Sequence, residues 1–219
     1  MFAAVAPRYD FLNHLLSFHV DRWWRARAAE RLAPILARPE AVVIDLCCGT
    51  CDLLRALEAR AAARTFGTDF CHPMLTSAQR KRPRGPLFEA DALQLPLRDN
   101  SVDLATVAFG FRNFANYRRG LEEMWRILRR GGTVAILEFS TPPNPWFAAL
   151  YDCYSRRVLP RVGGWLSGAP DAYAYLPESV RKFPAAPELA RDMEAAGFTQ
   201  VRFERMTFGI VALHLGVKG

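Results

Sequence analysis

The run Val42-Val43-Ile44-Asp45-Leu46-Cys47-Cys48-Gly49-Thr50-Cys51-Asp52 constrains this chain more than any other segment. Its apolar stretch is too short for a helix and ends in an acid. Small residues follow, and an amphipathic stretch begins near Asp52. That order predicts a buried parallel strand, a tight turn and a helix N-terminus. Small residues at such a turn let the backbone approach a ligand closely. A second short run, Thr65-Phe66-Gly67-Thr68-Asp69, also ends in an acid, 24 residues after Asp45. An acid at the tip of the second strand is placed to accept both ribose hydroxyls of an adenosine-containing cofactor.

Strand-like runs at Val42–Leu46, Arg64–Thr68, Val102–Ala108 and Thr133–Phe139 alternate with helical segments, and a short strand fits near Pro86–Ala90. Their hydrophobicity is continuous rather than alternating, which suits strands covered on both faces in a parallel sheet. Between Tyr117 and Arg130, Leu121, Met124, Trp125 and Leu128 form one helical apolar stripe. This stripe reads as core. Arg126, Arg129 and Arg130 crowd its end, where cations suit the helix dipole, and Gly131-Gly132 is expected to stop the helix. Beyond Pro142-Pro143-Asn144-Pro145 the alternation breaks into an aromatic segment, then a helix over Pro187–Ala196. Two last strands, Val201–Thr207 and Ile210–Val217, are joined too tightly for a parallel crossover and are expected to pair antiparallel.

At 219 residues, 51% hydrophobic and 23% charged, the chain reads as one α/β domain. No stretch approaches the roughly 20 apolar residues of a membrane span. Met1–Arg8 lacks the layout of a secretory signal, so a cytoplasmic protein is expected. Five cysteines, four of them at Cys47, Cys48, Cys51 and Cys71, form no secreted disulfide framework. Cys48-x-x-Cys51 has metal-like spacing, yet no matching His or Cys pair follows; no metal site is expected, and the thiols read as small buried groups. The net charge of +7 rests on 29 basic residues, of which Lys81, Lys182 and Lys218 are the only lysines. The arginines are scattered, apart from Arg80-Lys81-Arg82-Pro83-Arg84, and that run suits a solvated loop as well as a phosphate track.

The turn argues against a dinucleotide. Cys47, Gly49 and Cys51 occupy alternate positions where G-x-G-x-x-G is wanted, and Asp52 stands where a pyrophosphate would sit. A cofactor without phosphate and with positive charge fits better, and S-adenosyl-L-methionine is both. These residues also carry a resemblance. Asp45-Leu46-Cys47-Cys48-Gly49-Thr50-Cys51-Asp52 resembles motif I of class I methyltransferases, and Asp69, Asp91-Ala92 and Val102–Ala108 resemble the next three motifs. Met1-Phe2, Val5-Ala6, Tyr9-Asp10 and Asn13 are similar to the C-methyltransferases of menaquinone and ubiquinone biosynthesis. So are Phe109-Gly110-Phe111-Arg112-Asn113, Leu137-Glu138-Phe139-Ser140, Tyr151-Asp152-x-Tyr154-Ser155, Tyr173-x-Tyr175-Leu176-x-Glu178-Ser179 and Gly209–His214. The match runs from end to end.

The resemblance implies a Rossmann-like fold, seven-stranded and mostly parallel with an antiparallel edge hairpin. It implies a single domain over 1–219, methylating a carbon of a demethylated polyprenyl quinol, demethylmenaquinol to menaquinol. Its cofactor positions fall on Thr50, Asp69, Asp91 and Ala92, with Ala108 where many relatives have serine. Asp45 and Gly49 are expected in the cofactor site too, Asp45 ordering the turn and reaching the amino group of the methionine moiety. Arg112, Asn113 and Tyr9 are the expected catalytic residues, Arg112 stabilising a ring phenolate or holding a water; a structural salt bridge is its other reading. Tyr9 and Asn13 belong to an expected lid over 1–38, and the aromatic insertion 142–184 is expected to form the acceptor side. Cys51 stands where the family has glycine, and a Cβ at positive φ there costs on the order of 1–2 kcal/mol. His214 reads as structural; His14, His19 and His72 show no partner pattern. No nucleic acid partner is expected, since Phe109-Gly110-Phe111-Arg112 is unlike the strings that grip an amino nitrogen. A peripheral contact with the inner face of a membrane, and a homodimer, accord with this reading. The alternatives are another small-molecule acceptor, or a degenerate cofactor-fold binding protein spoiled by Cys51.

Overall fold

The computed structural model describes residues 14, 17, 19–81, 83–158 and 178–219. In chain order its elements are α1 (Val20–Arg31), α2 (Ala33–Leu36), β1 (Val42–Leu46), α3 (Asp52–Glu58), β2 (Arg64–Asp69) and α4 (His72–Arg80). Then come β3 (Leu87–Glu89), β4 (Val102–Ala108), a 3-10 turn at Phe111–Asn113, α5 (Tyr117–Ile127) and β5 (Leu128–Phe139). The last part holds α6 (Pro145–Cys153), continued by a π turn (Tyr154–Val158), then α7 (Ala186–Ala195), β6 (Phe198–Met206) and β7 (Val211–Lys218).

The seven strands form one sheet in the order β3-β2-β1-β4-β5-β7-β6. Every pair is parallel except those that β7 makes with β5 and β6. The single antiparallel strand lies second from the edge, because the short Thr207–Gly209 turn leaves β7 nowhere to pair but alongside β6. The continuous apolar runs have their expected cause. Val43, Leu104, Leu137 and Leu213 face Trp24, Leu32, Leu53 and Leu57 on one side. Ile44, Val107 and Ile136 face Phe111, Leu121, Met124, Leu189 and Met193 on the other. Helices α1 and α3 thus cover one face, and α5 and α7 the other.

One helix ends earlier than the sequence pattern predicts. α5 stops at Ile127, because Leu128 is extended and already pairs with Val102. Leu128 is fully buried, so its apolar side chain serves the sheet and not the helix stripe. Gly131, at φ 74°, sits in the irregularity that separates this pair from the regular Leu104–Thr133 register. Trp125 is half exposed instead of core, its Nε1 donating to the Gly197 carbonyl at 3.3 Å while the Lys218 ammonium lies 3.8 Å from its ring centre. The arginines near this helix end answer to particular acids as much as to the dipole. Arg126 donates to Glu123 and Asp99, and Arg129 to Asp103.

Candidate active site

The loop after β1 supplies the backbone of the site. Cys47, Gly49 and Cys51 take φ of 49°, 53° and 68°, so every second residue of the turn is left-handed. The Cys48 amide donates to the Thr68 carbonyl on β2, and the Cys51 amide closes the turn onto the Cys48 carbonyl at 2.7 Å. Cys51 does carry a Cβ in the conformation that favours glycine. It is fully buried among Leu54, Leu75 and Ala78, and that contact offsets the strain. Its sulfur lies 3.8 Å from that of Cys48. The Cys51 thiol and burial push the Cys48 thiol up, and burial raises Cys47, so both stay protonated at neutral pH.

Asp69 ends β2 and spans two loops. One carboxylate oxygen accepts from the Gly49 amide and the other from the Cys71 amide, each at 2.9 Å. Burial raises its pKa, and these amides oppose the rise. A carboxylate has about four acceptor directions, so these amides leave capacity for a ligand. A Cβ built on Gly49 would meet nothing within 4 Å, so the turn opens here onto empty space.

That space is a cleft of about 290 Å³ at the carboxyl ends of β1, β2 and β4. It brings together six of the positions expected from sequence: Gly49, Asp69, Asp91, Ala92, Ala108 and Asn113. Phe70, Cys71, Met74, Phe109 and Phe114 complete much of its wall. The backbone amide of Leu93 donates to Asp91 at 2.8 Å, which fixes the carboxylate at the mouth. Among the described residues lining the cleft there is no lysine or arginine.

Other expected residues lie elsewhere. Asp45 is buried behind the turn, accepting from the Thr106 hydroxyl at 2.7 Å, and burial pushes its pKa up to about 7. The buried Thr50 hydroxyl accepts from Lys81 at 3.0 Å. Tyr9 and Asn13 lie outside the described residues, as do most of the expected lid's first half and residues 159–177 of the expected insertion. Arg112 is not among the residues lining the cleft. It pairs with Glu138 at 2.9 Å, donates to the Phe109 carbonyl and to Ser179 Oγ, and lies over the Phe139 ring. Both partners of the pair are buried. This is the structural salt bridge, and Glu138 is the residue that sequence reasoning missed. Its signal was an acid inside a strand run, Leu137-Glu138-Phe139, where an unpaired charge would be untenable.

The acid at the start of α3 also differs from expectation. Asp52 is not a bare charge facing a ligand: Lys81 lies 2.5 Å away and Arg25 4.0 Å. His14, read as lacking partners, bonds Asp21 at 2.7 Å, and Asp21 also receives Ser17 and Arg25. Repulsion of phosphate is therefore better argued from the cleft itself, whose ionisable lining residues with anionic forms, Asp69 and Asp91, have no cation among the lining residues beside them. Such a surface suits a cationic, phosphate-free nucleoside.

This strand order, a backbone-rich turn after β1 and acids at the tips of β2 and beyond β3 define a Rossmann-like methyltransferase that uses S-adenosyl-L-methionine. The chain belongs to the ubiE/COQ5 methyltransferase family, whose profile matches residues 1–218. It is 49% identical over 221 residues to the demethylmenaquinone methyltransferase of Thermus thermophilus, covering 99% of each chain. It is 46% identical to the protein of that name from Deinococcus radiodurans, covering 100% of this chain and 91% of the other. Among solved structures it resembles the phosphoethanolamine N-methyltransferase 2 of Haemonchus contortus in complex with S-adenosyl-L-methionine. There the TM-score is 0.66 at 13% identity, covering 89% of this chain and 52% of that one.

Proposed function

We propose that this enzyme methylates a ring carbon of a demethylated polyprenyl quinol, converting demethylmenaquinol to menaquinol. The observation that supports it most is the cleft: two acids near the β1–β2 end, aromatic walls and Asn113 at the β4 end. Full-length similarity to demethylmenaquinone methyltransferases supports the choice of acceptor.

The bound cofactor supplies an electrophilic methyl group on a cationic sulfur, whose departure leaves a neutral thioether. The chain's own residues need not stabilise an anionic leaving group; they align, exclude water and activate the acceptor. Asp69 would accept the ribose hydroxyls with the acceptor capacity its amides leave. Asp91 would accept from the adenine amino group, and the Ala92 amide would serve the adenine ring. The turn at Gly49-Thr50 offers backbone to the methionine part, with Asp45 bracing it from behind. Phe70, Phe109 and Phe114 keep water out. An oxidised quinone is electrophilic at carbon, so the acceptor enters reduced; Asn113 hydrogen-bonds its ring hydroxyl, and the ring proton that the methyl group displaces leaves to solvent. Arg112 acts as a positioning residue: paired with Glu138, it holds the Phe109–Asn113 turn against the rim.

The test is methyl transfer to demethylmenaquinol and to a benzoquinol precursor, each kept reduced. Turnover on the naphthoquinol alone supports the proposal, turnover on neither overturns it, and preference for the benzoquinol reassigns the ring. No helix among the described residues is long and apolar enough to cross a membrane. A lipid-tailed acceptor therefore has to be met at a membrane surface.

A further inference from the structure

Helix α6 is almost wholly apolar, Pro-Trp-Phe-Ala-Ala-Leu-Tyr-Asp-Cys, yet none of its residues is buried. Its two sides differ. Phe147 and Tyr151 are half-buried, and Tyr154, one turn on, continues that line. Phe147 packs on Phe208 with ring centres 5.3 Å apart, and Tyr151 lies within electrostatic reach of Arg112. The other side projects Trp146, 86% exposed, and Leu150, 67% exposed, one turn apart. Phe208, 80% exposed, adds a third large apolar group. It sits at φ 55° in the Thr207–Gly209 turn, a conformation that costs a bulky residue energy and turns its ring outward.

Helix α6 and the Phe208 turn belong to one rim. The Ser140 amide, just past β5, bonds the Ile210 carbonyl just before β7, and a Cβ on Gly209 would meet Pro143 at 2.6 Å. Phe139 pairs with Val211, so α6 and the Phe208 turn both sit at the carboxyl end of β5. The cleft opens at this same end of the sheet. Exposed aromatics grouped at a site's edge mark an interaction surface and not scatter. A cation lies beside the turn: Arg205 is exposed with its Cδ near Gly209, on a chain whose net charge is +7. Two aromatic anchors and a leucine, with an exposed arginine beside the turn, match a headgroup layer over an anionic leaflet.

We propose that Trp146, Leu150 and Phe208 form a docking surface for an anionic lipid bilayer, against which the cleft receives its lipid-tailed acceptor. The membrane contact stands on the surface itself; its role in delivering acceptor rests on the proposed function.

The test is flotation of the full chain with vesicles of phosphatidylglycerol and phosphatidylcholine, and with phosphatidylcholine alone, in the absence of any quinol. The wild type is expected to float with the anionic vesicles. The variant Trp146→Ser/Leu150→Ser/Phe208→Asn is expected to lose at least tenfold in vesicle affinity. Asparagine tolerates positive φ, so the fold is kept; unchanged affinity for S-adenosylhomocysteine and an unchanged circular dichroism spectrum verify this. Equal flotation of variant and wild type overturns the proposal. So does a wild type that ignores anionic vesicles and instead forms dimers, by light scattering, that the variant lacks. Patch-dependent flotation in a protein that methylates no quinol would sustain the surface and reject the acceptor.

Discussion

The two halves of the rim are held by different physics. On the β1–β2–β3 side, main-chain amides and one short acid do the holding: Asp69 ties Gly49 to Cys71, and the Cys47–Cys51 turn alternates left-handed residues. On the β4–β5–β7 side, buried ionisable side chains do it: Arg112 with Glu138, and His214, whose Nε2 bonds the Ala186 carbonyl at 2.9 Å. The first half can recognise a ligand whose shape is constant, because backbone geometry is hard to vary by mutation. The second is adjustable, because long side chains set it. That division suits an enzyme whose methyl donor is fixed and whose acceptor differs among family members.

The largest effect expected from breaking this contrast is at Arg112. Arg112→Ala leaves Glu138 buried without its cation and should cost about 3–5 kcal/mol in urea unfolding. Arg112→Met combined with Glu138→Leu should recover most of that stability and still lack turnover. Recovery of turnover as well would show that the pair does not position the site.

The halves should also answer pH with opposite signs. Burial holds His214 down to about 4, below its ordinary 6.5, so its contribution is present above pH 6.5 and is lost as pH falls through 4. About 2.5 units at 1.36 kcal/mol each is on the order of 3 kcal/mol. Asp45 is raised to about 7, so its contribution is full below about pH 4 and is lost as pH rises through 7. His214→Gln should remove the part of the stability profile that rises between about pH 4 and 6.5, and Asp45→Asn the part that falls between about pH 4 and 7. A reversed pattern would refute the assignment.

Asp69→Ala should weaken S-adenosylhomocysteine roughly 100-fold by calorimetry, about 2.7 kcal/mol, while the Arg112→Met/Glu138→Leu protein binds it as the wild type does. Equal loss in both would erase the distinction between the halves. The smallest effect is expected at Cys51. Cys51→Gly relieves the left-handed Cβ but removes a buried thiol and frees the unfolded chain, so stability should move by less than about 1 kcal/mol. A larger gain would mean that the turn is more strained than its packing suggests.

Much of the fold was legible in the chain. Val42–Leu46 and Val102–Ala108 are strands at the expected bounds because runs buried on both faces leave no other reading. The end of α5 was misjudged because Leu128 satisfies a helical stripe and a buried strand equally well. In the site, Asp69 and Asp91 could be placed by their spacing from strand ends. Arg112 could not be resolved between ligand contact and salt bridge, because its partner lies on another strand.

What the sequence determined alone was local: the order of strand, turn and helix, and which small residues and acids follow each strand. Period and spacing encode these directly. What only the tertiary structure decided was which charges remain available at the rim. Glu138 meets Arg112 across 26 residues and Asp52 meets Lys81 across 29, through the adjacency of β4 with β5 and of α3 with the end of α4. A charge is neutralised by its neighbours in space, and those neighbours exist only once the sheet has assembled.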